Sequence, residues 1–338
     1  MMPAAEDVKS VLVHVGLDRL GDGLLKLPFV RGLRQAFPNA KLTWFAGKET
    51  TVYARALQPL AANHLDEIIE YGGIGESPIE LFTQRPLADR QFDLVIDTQR
   101  NFWIAMAVRR IRHRRFISPA ARFFLSSAKP KPGYTFPKAM QRQMLDLLEI
   151  ASGQSFPAPS ALDLEIPAAC HVNAVKLLPD GPRYIGFAPG SGGRPKCWPL
   201  DRFIAVARTA LETGATPVFL IGPQELEWVE VIRRQLPEAL LPLQMDPAQS
   251  YDPLLSIALG QRLSLAVSND SGIAHMLAVA GAPLIVLYGP TLYEKFPPMT
   301  EKITVIRAET FGSREMSAIP VDTVNSALVA MLEQLPAG

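Results

Sequence analysis

The stretch VSNDSGIAHMLAVAGAPLIVLYGPT, residues 267–291, decides how this chain is read. Leu263, Leu265, Ala266 and Val267 lead into it as an apolar run that reads as a buried parallel strand. Asn269 or Asp270 is a candidate helix cap, because a short side-chain oxygen can take the N–H groups two or three residues on. Ser271 and Gly272 start the helix, and Ile273, Met276, Leu277 and Ala280 share the face that would lie on a sheet. Ser271 and His275, one turn apart, fall on the other face. Gly281 and Pro283 stop the helix, and residues 284–288 form the next strand. A strand, a polar turn and a helix with glycine in its first turn leave N–H groups and the positive end of a dipole beyond the strand, which is an anion site. The plain alternative is an ordinary crossover with a good cap and a core histidine.

On either side of this stretch, strands alternate with helices. Residues 11–15, VLVHV, read as a first strand, followed by a loop over 16–23, a helix over 24–37 and a strand over 41–45. Pro28 fits that helix only in its first turn or at a kink. This is the mononucleotide-binding arrangement, with its loop at the C-terminal edge of a sheet. Strands over 67–71 and 93–97 continue it. RRIRHRR at 109–115 and the lysines around the prolines of 128–137 are either a solvated basic face or a binding site for an anionic ligand. Arg109, Arg112, Lys129 and Lys131 are the candidates, with 128–137 as a mobile loop over a cleft.

The small, proline-rich residues 151–181 read as an interdomain linker, with an extended segment near 162–166. A second domain restarts with a strand over 184–188 and the loop PGSGGRPKCWP. Its glycines let N–H groups converge on an anion, with Lys196 as a point charge beside them. After a strand over 216–221, Glu225, with Glu227 close behind, can take both hydroxyls of a ribose or simply complement a helix dipole. Strands over 284–288 and 303–306 follow, then an amphipathic helix near 321–335. The expected fold is α/β, with two doubly wound Rossmann-like domains over 1–170 and 171–320 and a terminal segment over 321–338.

The 338 residues are enough for two cores. A net charge of +1 argues against a nucleic-acid partner. The two cysteines, Cys170 and Cys197, lack metal-ligand spacing and read as reduced thiols. No signal peptide or spanning run is apparent, so a cytoplasmic protein is expected. A peripheral contact at the inner face of the inner membrane stays compatible with that.

The run carried by Asp270, Ser271, Gly272, His275, Ala278, Gly281, Pro283, Leu287, Tyr288, Gly289, Pro290 and Thr291 resembles the signature of the ADP-heptose:lipopolysaccharide heptosyltransferases, glycosyltransferase family nine. RLGDGLLKLP at 19–28, FDLVID at 92–97 and Lys196-Cys-Trp-Pro199 are similar to the same family. The resemblance implies the GT-B architecture, two such domains facing a central cleft, with the terminal helix packing back on the N-terminal domain. It implies an inverting, metal-independent transfer of heptose from ADP-heptose to a hydroxyl of a lipopolysaccharide core or related glycan, without a cofactor. Asp22 would be the general base (its plain alternative is a helix cap), and Lys196 and Ser191 would meet the donor pyrophosphate. Asp270, Ser271, Gly272 and His275 would contact donor phosphate or sugar. The basic N-terminal residues would bind an anionic glycolipid acceptor. The adenine is expected near 240–251, with Met245 as a base contact. A histidine common in the family three residues after the aspartate is Leu25 here. The competing readings are transfer from another nucleotide sugar, a non-catalytic nucleotide-sugar-binding protein, and an epimerase or phosphorylase on the same scaffold.

Overall fold

The computed structural model describes residues 7–75, 77–82, 85–245 and 251–335. The chain divides into two compact units, Met1–Pro159 and Ser160–Gly338. The first contains β1 (Ser10–Val15), α1 (Leu20–Ala36), β2 (Lys41–Ala46), α2 (Gln58–Ala61), β3 (Glu67–Ile69), β4 (Gln91–Asp97), α3 (Phe102–Arg109), β5 (Arg112–Ile117) and α4 (Met140–Ser152). Its sheet is parallel in the order β3-β2-β1-β4-β5. The direction of winding reverses between β1 and β4, and ligands of doubly wound sheets bind beyond the strand ends at such a switch point.

Three features of this unit differ from expectation. Helix α1 starts at Leu20, so Asp22 belongs to its first turn and not to a preceding loop. Pro28 then sits inside the helix, where its ring leaves the Leu24 carbonyl without the usual donor. The basic run contains an edge strand: Arg114 pairs with Asp93 at 3.4 Å and Arg115 donates to the Ala151 carbonyl at 2.7 Å. The segment 128–137 is tied down: Tyr134 donates to Asp146 at 2.6 Å, and the Gln143 amide donates to the Pro137 carbonyl at 2.7 Å.

The second unit contains α5 (Ala168–Leu177), β6 (Tyr184–Ala188), α6 (Leu200–Glu212), β7 (Thr216–Phe219), α7 (Glu227–Gln235), α8 (Pro253–Gly260), β8 (Leu265–Asn269), α9 (Gly272–Val279), β9 (Leu284–Tyr288), β10 (Ile303–Arg307) and α10 (Val321–Glu333). Its sheet, β10-β9-β8-β6-β7, is again parallel, with the switch point between β6 and β8. These strands are apolar almost throughout because both faces are covered. Trp198 is fully buried in this core and donates to the Ile319 carbonyl at 3.0 Å. Val324, Leu328 and Leu332 of α10 belong to the same core, alongside α6. Part of the expected linker is helical: α5 begins after Pro167, whose fixed φ suits a helix start. Gly281, with φ +82°, ends α9 in the left-handed conformation that glycine tolerates best. Among the described residues no helix is long and apolar enough to cross a membrane.

Candidate active site

In the second unit the loop after β6 and the turn after β8 meet at the switch point. Asn269, fully buried at the end of β8, joins them. Its Nδ2 donates to the Pro189 carbonyl at 2.6 Å and its Oδ1 accepts the Trp198 N–H at 3.1 Å. Sequence reasoning weighed Asn269 only as a helix cap. The structure corrects this, because a lone amide at the end of an apolar strand finds its partners across the sheet. Asp270 does not cap the helix either: its Oδ2 accepts from Thr291 Oγ1 at 2.5 Å. Ser271 is the N-terminal flanking residue and makes no side-chain capping bond. Among the described residues no side chain caps the first-turn amides of α9, which leaves them suited to an anion.

The glycine loop is braced from below. Glu225 is buried, and its carboxylate accepts the Ser191 N–H. A β-carbon at Gly190 would stand 2.8 Å from that carboxylate, so only glycine lets the loop lie so close. Burial pushes the Glu225 carboxyl up, against the Ser191 N–H and Arg194, which lower it. Glu225 therefore supports the loop through this bond. Glu227 is exposed and paired with Arg194, whose guanidinium lies 4.4 Å from the Trp228 ring centre. Ser191 is also committed inward, its Oγ donating to the Asp270 carbonyl at 3.1 Å. Lys196 is half-buried in the turn Arg194–Lys196, and no carboxylate pairs with it among the described residues. His275 is buried within α9. Met245 is exposed, and residues 246–250 of the expected adenine segment lie outside the described residues.

In the first unit Asp22 occupies the third helical position of α1, half-buried, and accepts the Arg19 N–H at 3.3 Å. Its cap and base readings share this geometry. The backbone around it is anchored on both sides. Asp18, buried and missed by sequence reasoning, is paired with buried Lys26 and accepts from Trp44 Nε1 and Thr51 Oγ1, each at 2.9 Å. Tyr53 donates to the Gly23 carbonyl at 2.6 Å. At the neighbouring strand ends His14 Nδ1 lies 2.9 Å from Asp97 Oδ1, and Asp97 Oδ2 accepts from Ser118 at 2.8 Å. This buried group joins the ends of β1, β4 and β5.

Lys129 and Lys131 line a cavity of about 490 Å³ with Arg122, Phe123, Tyr134 and Phe136. Ala121, Arg122 and Phe123 all have positive φ (47°, 54° and 63°), a strained run for residues other than glycine and of the kind found at ligand sites. Arg109 and Arg112 do not line this cavity. Arg109 ends α3, and Arg112 opens the amino-terminal end of β5.

Comparison with known proteins adds a family match, a relative in sequence and two solved structures. The sequence model of the family described as "Glycosyltransferase family 9 (heptosyltransferase)" matches residues 82–318, a segment that excludes Asp22. Lipooligosaccharide heptosyltransferase 2 of Haemophilus influenzae is 27% identical over 315 residues, 88% of each chain. Among solved structures, a family 9 glycosyl transferase from Veillonella parvula superposes with a TM-score of 0.73 at 22% identity, covering 98% of this chain and 99% of that one. The Escherichia coli heptosyltransferase WaaC, solved with ADP-2-deoxy-2-fluoro heptose, gives 0.66 at 20% identity, covering 95% and 99%. These likenesses carry the fold, GT-B, built of doubly wound α/β units.

Proposed function

We propose that this chain, which belongs to glycosyltransferase family 9, the heptosyltransferases, moves a heptose from ADP-heptose to a hydroxyl of a lipopolysaccharide core or a related surface glycan. The observation that carries this reading is the meeting of the glycine loop and the uncapped start of α9, fastened together by Asn269. The α9 amides and the Lys196 ammonium take the diphosphate. As the sugar leaves, charge grows on the ADP oxygens, and each well-placed donor there contributes roughly 3 kcal/mol. Ser191 and Glu225 shape the loop, and Asp270, fixed by Thr291, presents its second oxygen toward the donor sugar. Asp22 takes the proton from the acceptor hydroxyl, whose oxygen attacks the anomeric carbon opposite the leaving group, so configuration inverts. Lys129 and Lys131, with Arg122, bind the anionic part of a glycolipid acceptor. The work is done in the cytoplasm, where the enzyme meets that glycolipid as a peripheral partner of the membrane.

The test is thermal-shift titration and transfer assays with ADP-heptose, UDP-sugars and GDP-sugars. Stabilisation by ADP-heptose alone, with heptose appearing on a core acceptor, is expected. Stabilisation by a UDP- or GDP-sugar instead would move the assignment to another donor.

A further inference from the structure

Unit 1 carries a group of large apolar side chains that its core does not use. The turn Pro78–Phe82 packs on α3, and α3 packs on the turn Ala120–Phe123. Inward residues of these segments, Leu81, Ile104 and Phe123, belong to or pack against buried side chains. Their outward neighbours do not: Ile79 is 66% exposed, Phe82 88%, Trp103 54% and Phe124 72%. Single exposed apolar residues are common, but several on adjoining segments mark an interaction surface. Cations adjoin this surface. The Arg100 guanidinium stacks 4.3 Å from the Phe136 ring centre, just before α3, and Phe136 lines the cavity with Arg122, Lys129 and Lys131.

The geometry points to a docking face for an anionic phospholipid bilayer. Ile79, Phe82, Trp103 and Phe124 enter the boundary between headgroups and acyl chains. Arg100 meets lipid phosphates at the edge of this face, and the positive charge of Arg122, Lys129 and Lys131, which hold the acceptor's own anionic groups, adds to the attraction for an anionic surface. Aromatic side chains with nearby arginine and lysine suit this boundary, because one part is apolar and the other stays hydrated. The inference rests on the glycolipid reading of the acceptor, since such an acceptor resides in a bilayer.

The experiment uses the full chain and vesicles that contain no glycolipid, either phosphatidylcholine alone or mixed with phosphatidylglycerol. Co-sedimentation should favour the anionic vesicles by on the order of a hundredfold, and salt should weaken that preference. In W228F, which removes the half-buried fourth tryptophan, Trp103 fluorescence should shift to the blue and be quenched by brominated lipid, whereas Trp44 and Trp198 are buried. The variant F82S/W103S/F124S should bind anionic vesicles roughly tenfold more weakly or worse. It should keep its transfer rate to a water-soluble acceptor fragment, and that rate tests the functional reading separately. Equal binding to both vesicle types, or unchanged binding by the variant, would overturn the inference. So would light scattering that shows a dimer which the triple variant dissolves, because a second copy would then cover the face.

Discussion

Asn269 fastens Trp198: its side-chain oxygen accepts the Trp198 N–H at 3.1 Å while its nitrogen donates to Pro189 at 2.6 Å. One buried amide therefore holds both ends of loop 189–198, with the proposed phosphate site between them. Asn269→Ala strands a buried donor and a buried acceptor. It should cost about 2–4 kcal/mol in unfolding experiments, and raise the donor KM by roughly tenfold as the loop loosens. An unchanged KM in a folded variant would remove Asn269 from the site.

Asp22 separates catalysis from capping. Asp22→Asn keeps an acceptor for the Arg19 N–H, so stability should change by less than about 1 kcal/mol. Turnover should fall by roughly 10²–10⁴-fold, while calorimetric binding of the donor is preserved. If turnover persists, Asp22 is only a helix cap.

Asp18 and Lys26 form a buried pair that also engages Trp44 and Thr51. Lys26→Met leaves a buried carboxylate without its cation and should cost roughly 3–5 kcal/mol. In D18N/K26M the uncompensated charge is gone, so urea unfolding should show part of that loss restored. Strict additivity of the single and double variants would contradict the pairing.

Two carboxylates should give opposite pH signatures. Arg90, with Lys41 and Thr43, holds Glu67 down to about 2, so its contribution is present above the ordinary value of 4.5 and is lost as pH falls toward 2. Glu67→Gln should therefore cost on the order of 2 kcal/mol at neutral pH and little in strong acid. Glu225 is pushed up by burial, so the folded state holds its proton more firmly. Its contribution is present below 4.5 and lost as pH rises through the folded value. The stability of wild type relative to E225Q should decline with rising pH over that window. Thermal unfolding across pH checks both signs.

Most of the fold was legible because central strands such as β6, β8 and β9 are unbroken apolar runs, and their helices have clear stops. β5 was not, because Arg112, Arg114 and Arg115 replace the apolar pattern on an edge strand with solvent beside it. α5 was hidden by the prolines around it. At the site, the signature marked Asp270, Ser271 and Gly272, but sequence alone gave no partners. Asn269 bonds to residues 80 and 71 positions away, and Asp18 bonds to Trp44 and Thr51 from other segments. The same blindness hid the support that Glu225 gives the glycine loop, because the Ser191 amide above it is visible only in the folded chain.

The arginines of β5 also bear on how copies of this protein avoid one another. An outermost strand offers unpaired backbone groups to any strand that approaches, and that is a route to aggregates. A second β5 laid alongside would bring arginine against arginine, so the charge that hid this strand from the apolar pattern also guards the open flank of the sheet.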